Sequence, residues 1–237
     1  AENGRRSRTE AEYELVDTGI FDDGRYWVVT VDYAKAGPHD LLMRITVENA
    51  GPDEATLHIL PTLWFRNTWA WGPTDHFKPK LRGEDGRVVG QHDRAGRLVL
   101  TGDGAPDLLF CENETNTTRL FDDPVGVRFP KDGINDHVVN GAASVDPALQ
   151  GTKAALHYRV TVSAGRSQVI RVRLAGGDQN GAARTDLASG YDAVMTARQA
   201  EADAFYAALT PARYGMEEAR VLRQALAGLL WSKQFFH

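Results

Sequence analysis

"DLLMRITVEN", residues 40–49, decides how the chain is read. Leu41, Met43, Ile45 and Val47 fall on one face at period two, with Arg44, Thr46 and Glu48 on the other. That is the pattern of a strand with one side on a core and the other in water. Just upstream, "RYWVVTVDYA" puts Trp27, Val29, Val31 and Tyr33 on one face. Downstream, "NAGPDE" supplies turn residues, and "ATLHILPTLWF" follows with Leu57, Ile59, Leu63 and Phe65 in phase. Shorter strands are predicted at "GRVVGQ", "GRLVLTG" and "PDLLFCEN", and longer ones at "AALHYRVTVSAG" and "SQVIRVRLAGG". From residue 12 to about 174 the chain reads as strands and turns without helices, which predicts an antiparallel β-sandwich.

After "GGDQNGA", read as a linker, the period changes. "SGYDAVMTARQAEADAFYAAL" carries Tyr191, Val194, Met195, Ala202, Phe205 and Leu209 at helical spacing. "TPARYG" ends this helix. "MEEARVLRQALAGLLWSKQFFH" then predicts a second one, acidic in its first turn, with Val221, Leu222, Ala225, Leu226, Leu229 and Leu230 as a wide apolar stripe. Trp231, Phe235 and Phe236 add to it, and no glycine, proline or polar tail closes the helix. A helix still gaining apolar surface at its last residue is expected to belong to a longer protein. So is a chain that begins at Ala1 in a polar, basic run.

Composition narrows the function classes. The 237 residues suffice for a sizeable core, and a net charge of -5 argues against a nucleic-acid footprint. The single cysteine, Cys111, allows no internal disulfide and fits a reducing, cytoplasmic setting. No apolar run approaches the roughly 20 residues of a membrane span, so no membrane partner is expected. G-x-S-x-G, H-E-x-x-H, C-x-x-C and phosphate-loop patterns are all absent, and the seven histidines are scattered. No cofactor or metal is expected.

Three stretches carry more polarity or aromaticity than a strand needs. "LPTLWFRNTWAWG", residues 60–72, packs three of the five tryptophans, Trp64, Trp69 and Trp71, around Arg66 and Asn67. In a strand Trp64 faces opposite to Leu63 and Phe65, and Trp69 shares a face with Trp71. Core packing explains such aromatics as well as a sugar platform or an interdomain contact does. "CENETNTTRLF" holds Glu112, Asn113, Glu114 and Asn116 in a dense polar run, which can hydrogen-bond a polyol, bind a hard cation through its oxygens, or simply be a solvated loop. Its two Asn-x-Thr sequons, at Asn113 and Asn116, read as chance matches. "FPKDGINDHVVNG" surrounds Gly133 with Lys131, Asp132, Asn135 and Asp136, either as a hairpin with "DG" at its tip or as a loop aimed at a site.

Taken together, "LPTLWFRNTWAWG", "ENETNTTRLF", "KDGINDHVVNG" and the tail from "EADAFYAAL" to "WSKQFFH" resemble bacterial glucosidase-like proteins of glycoside hydrolase family 63, relatives of processing α-glucosidase and mannosylglycerate hydrolase. The resemblance runs from about "YELVDTG" to the last residue. It implies a supersandwich-like β-domain over 1–180, a linker helix over 181–215, and over 216–237 the first helix of an (α/α)6 barrel. Such a barrel carries two carboxylates for inverting hydrolysis of an α-glycosidic bond, one as acid and one as base. Both belong downstream, so no catalytic residue is expected in this chain, which alone is expected to be inactive. The implied partners are the barrel, in the same or a second polypeptide, and a carbohydrate such as a short α-glucoside or a glycosyl-glycerate. Trp64, Arg66, Asn67, Trp69 and Trp71, with Lys131, Asp132, Asn135 and Asp136, are expected at the interdomain junction or the pocket rim. The alternatives are a stand-alone carbohydrate-binding module and a structural sandwich that mediates assembly.

Overall fold

The computed structural model describes residues 2–71, 77–177, 185–188 and 190–232. Most of the "GGDQNGA" stretch, Gly72, Phe235 and Phe236 lie outside them. Among the described residues the protein is mainly β, with antiparallel sheets and four α-helices, two of them C-terminal. Two compact units are distinguished, Ala1–Leu187 and Ala188–His237, so both C-terminal helices fall in the second.

In the first unit the strands are β1 (Trp27–Gly37), β2 (Asp40–Asn49), β3 (Ala55–Ile59), β4 (Thr62–Trp64), β5 (Lys80–Glu84), β6 (Arg87–His92), β7 (Gly96–Gly102), β8 (Asp107–Cys111), β9 (Gln150–Gly151), β10 (Lys153–Val162) and β11 (Ser167–Gly177). Seven form one sheet in the order β1-β2-β11-β7-β6-β5-β9, and β3, β4 and β8 all pair with β10 in a second. The opening stretch is β2, between β1 and β11, with Ile45 opposite Val31 and Ile170. Its alternation is the reason: Ile45 and Val47 are buried while Glu48 is exposed.

One core joins the two sheets. The wide sheet contributes Ile45, Val47, Val88, Leu100, Ile170 and Val172, and the small sheet Phe110, Leu156, Tyr158 and Val160. The other face of β10 and β8, with Ala155, Leu109 and Cys111, is also buried, under Ile134 and its neighbours Phe129, Val138 and Val145. Burial pushes the Cys111 thiol up to about 11, so it behaves as a small apolar side chain.

The structure corrects several details of the strand reading. Residues 12–174 do contain helices: α1 (Thr117–Phe121), α2 (Gly133–Asn140) and a 3-10 turn at Leu15–Thr18. The strand predicted across "ATLHILPTLWF" breaks at Leu60 and Pro61 into β3 and β4. Proline has no N–H for the ladder, although the Pro61 carbonyl still accepts from Leu156 N at 3.0 Å. In β1 the row Val29, Val31 and Tyr33 does share a face but is exposed, because β1 is the edge strand and only Trp27 of that row packs on the core.

His157, on the outer face of β10, lies 2.7 Å from His58 of β3, nitrogen to nitrogen. Partial burial, and then the charge of His58, hold His157 below the ordinary value of 6.5. The unfolded chain therefore takes up this proton first as the pH falls. The histidine's contribution to stability is complete above pH 6.5 and is lost as acid drives the proton onto the folded form. Urea titrations at pH 7.5 and 5.0 should show a drop in midpoint that is smaller in His157→Gln. An equal drop in both would remove His157 as a cause.

In the second unit, α3 (Tyr191–Leu209) and α4 (Met216–Trp231) are joined through Thr210 and a short turn. Arg223 of α4 ion-pairs with Asp203 of α3 at 2.6 Å and stacks over Tyr206 at 4.9 Å. Tyr191 and Met195 are buried. No residue of α4 is, and Val221, Leu229, Leu230 and Trp231 are exposed, Trp231 at 88%. No helix of the described residues is long and apolar enough to cross a membrane.

Candidate functional site

The three stretches singled out from sequence meet at the end of the small sheet, beyond β4 and β8, the two strands that flank the start of β10. Backbone bonds stitch two of them together. Glu112 N donates to Phe129 O at 2.7 Å, and Lys131 N donates to Glu114 O at 2.9 Å. The third is held by amides: Asn67 Nδ2 donates to Asn113 O at 3.2 Å, and Asn113 Nδ2 returns to Phe65 O at 2.8 Å. These two asparagines satisfy backbone carbonyls that strand pairing no longer reaches once β4 ends at Trp64.

Past Trp64 the chain turns, with Thr68 N on Arg66 O and Trp71 N on Thr68 O. Trp69 and Trp71 therefore do not share a strand face, contrary to the alternation reading. Trp69 is half-buried, and its Nε1 donates to Glu114 Oε1 at 3.1 Å. Trp71 is 67% exposed, with the Arg66 guanidinium 4.8 Å from its ring centre. Trp64 is exposed too, opposite in facing to Leu63 and Phe65, which pack on the shared core. The outcome is one anchoring tryptophan and two exposed ones, of which Trp71 carries the Arg66 guanidinium over its ring.

Lys78 lies at the centre of the charge pattern. Its Nζ is 2.7 Å from Glu114 and 3.1 Å from Glu112, and 5.9 Å from the Trp69 ring centre. Partial burial opposes its charge, but hydrogen bonds to Glu114 and Glu112 outweigh that and hold the ammonium above its ordinary value. Glu112 also accepts from Thr152 Oγ1 at 2.7 Å, and Thr152 Oγ1 accepts from Asn113 N at 2.7 Å. Both glutamates thus share one ammonium.

A second group lies beside the first. Asn116 caps α1, its side chain accepting from Arg119 N at 3.0 Å, while its Nδ2 donates to Asp132 at 3.0 Å. Arg119 Nη1 bridges Asp132 at 2.9 Å and Asp136 at 3.2 Å. Burial works against the Asp132 charge, but Asn116 and Arg119 overcome it and hold the carboxyl below the usual range. Lys131 and Asn135 are exposed; the Lys131 carbonyl accepts from Lys153 Nζ at 2.8 Å. Among the described residues, no group of three His, Cys, Asp or Glu side chains is placed to hold a metal ion.

The "DG" of residues 132–133 starts a helix and is not the tip of a hairpin. Ile134 and Val138 stand one helical turn apart and both pack on the Cys111 cluster, while Gly141 ends the helix at φ 67°. Ser144 Oγ donates to Gly133 O at 2.6 Å, and a Cβ at position 133 would stand 2.1 Å from Ser144 O. Gly133→Ala is expected to cost about 1–3 kcal/mol through forced displacement of packed backbone. Urea denaturation measures it, and a change below about 0.5 kcal/mol would show that α2 shifts freely.

Lys78, Arg119 and Thr152 organise these groups without having stood out in the sequence. For Arg119 a local signal existed: Asn116 three residues before it is a good N-cap. Lys78 and Thr152 lie 34 and more residues from their glutamates in the chain, and no spacing rule links them.

No protein-family model matches the chain. It is similar to the uncharacterized protein YMR196W of Saccharomyces cerevisiae. The identity is 29% over 277 residues of alignment, which take in 99% of this chain and 26% of the yeast protein. The chain thus spans about a quarter of that relative's length.

Proposed function

We propose that this chain is the β-sandwich part of an inverting α-glycosidase of the family 63 type, that α4 begins its (α/α)6 barrel, and that the outer aromatic and polar layer borders the sugar pocket or the barrel. The two sheets packed over one core are the sandwich of this reading. The observation that carries it is the convergence of residues 64–71, 112–119 and 131–136 at one end of the small sheet, with Trp64, Trp71 and Arg66 left exposed. A domain sufficient to itself gains nothing from exposed tryptophans beside a network of shared charges. A sugar ring or an apposed domain gains both stacking and hydrogen bonds there. The uncovered stripe of α4 supports the same reading, since barrel helices bury such a face against their neighbours. A relative about four times as long leaves room for a barrel.

On this reading the chain supplies shape and no proton transfer. In a polypeptide that carries both this chain and the barrel, Trp71→Ala should raise KM for a short α-glucoside about tenfold, equivalent to ~1.4 kcal/mol. Residues 1–237 alone should neither hydrolyse it nor bind it measurably in calorimetry. Micromolar sugar binding by the isolated chain, lost in Trp71→Ala, would instead establish the binding-module alternative.

A further inference from the structure

His58 and His157 point outward from adjacent strands, on the face of the small sheet that also carries Ala155 and Arg159. His58 Nδ1 and His157 Nε2 are 2.7 Å apart, the ring planes differ by 15°, and the centroids are 5.0 Å apart. The rings therefore meet edge to edge through their nitrogens, in nearly one plane. A neutral imidazole has one N–H and one lone pair, so a contact this short holds a single proton between two lone pairs.

Two further features surround the pair. Asp107 stands directly opposite His157 across the β8–β10 ladder. Directly opposite residues have Cβ atoms about 5 Å apart, so the carboxylate can reach the imidazole. His157 also lines an open cleft of about 460 Å³, together with Asp103, Asp107, Arg159, Gln168 and Ile170. The cleft exists because β8 pairs only with the first half of β10, from Lys153 to His157, and leaves the edge beyond uncovered.

We propose that His58 and His157 bind one divalent transition-metal ion of the Zn²⁺, Ni²⁺ or Cu²⁺ kind in place of the proton they share, with water completing its coordination from the side of the cleft. Imidazole nitrogen is a preferred ligand of these ions. Metal–nitrogen bonds of about 2.0–2.1 Å in tetrahedral geometry need the two nitrogens about 3.3 Å apart. Opening the pair from 2.7 Å to that distance takes only small rotations of one exposed and one half-buried ring. No group of three His, Cys, Asp or Glu side chains is placed to hold an ion among the described residues, so the two imidazoles are the protein's ligands and Asp107 contributes charge alone. The charged groups acting on His157 are His58, Asp107 and His137, of which only Asp107 favours a bound cation.

Calorimetric titration of the 237-residue chain with zinc chloride at pH 7.5 tests this. One ion per chain is expected, with affinity at least tenfold weaker in His58→Ala and in His157→Ala, and unchanged in His92→Ala. Lowering the pH to 5.5 should weaken binding at least tenfold, because protons compete for the same nitrogens. Imidazole proton resonances of His58 and His157 should shift on addition of zinc, an observation independent of fold stability. Circular dichroism establishes that each variant is folded. Absence of saturable binding at millimolar zinc, or equal binding by folded His58→Ala and His157→Ala, would overturn the site.

Discussion

Phe110→Ala should lower the unfolding free energy by about 3–5 kcal/mol, the range for removing a fully buried aromatic ring. Phe110 is 0% exposed and sits in β8, opposite Ala154 of β10, within the core shared by both sheets. Alanine already occupies the paired position, so the neighbouring strand offers no larger side chain to fill the space. Collapse would have to draw on Leu100, Leu156 and Val172, which belong to two different sheets. Urea denaturation gives the number. A loss below about 2 kcal/mol would mean that the two sheets adjust to one another more freely than a close-packed core allows.

An effect of the same size is expected on the opposite face of the wide sheet. Arg173 is buried, and its guanidinium forms a two-pronged pair with Asp40, Nε to Oδ1 at 2.7 Å and Nη2 to Oδ2 at 2.5 Å. Nη1 donates to Asp186 O at 2.6 Å. Removing one member of a buried pair leaves a charge without its partner, at a cost of about 3–5 kcal/mol. Asp40→Leu should therefore destabilise strongly. The double variant Asp40→Leu with Arg173→Met should recover at least half of that loss, because no buried charge then remains. A double-mutant cycle by chemical denaturation measures the coupling. If the double variant is as unstable as the sum of the single ones, the pair acts only through packing.

The strands were legible because their residues obey one rule each. Ile45 and Val47 alternate with Arg44, Thr46 and Glu48, and the pairing with β1 and β11 places them accordingly. The helices α3 and α4 were legible for the same reason at a longer period. The short helix α2 was not. Eight residues give two turns, and a "DG" before them fits a hairpin as well until Ile134 and Val138 are seen to pack on the Cys111 cluster. The break at Pro61 was marked in the sequence, but alternation on both sides of it hid the change.

The site divides in the same way. The stretches that stand out by residue type, tryptophan, asparagine and paired acids, do meet in space. Which of them are free and which are anchored was not legible. That Trp69 is tied to Glu114 while Trp71 stays exposed depends on where Lys78 and Thr152 arrive from distant parts of the chain. The Asp40–Arg173 pair is likewise a product of the β2–β11 neighbourhood, at a separation of 133 residues.

The claim on which the functional account rests is that these sheets serve a barrel that cleaves α-glycosidic bonds with inversion. Proton NMR during hydrolysis of a short α-glucoside by the polypeptide that carries this chain and the barrel tests it most directly. The account predicts that the first sugar released is the β-anomer, and that residues 1–237 alone release none. Release of the α-anomer first, or cleavage by residues 1–237 alone, would contradict it.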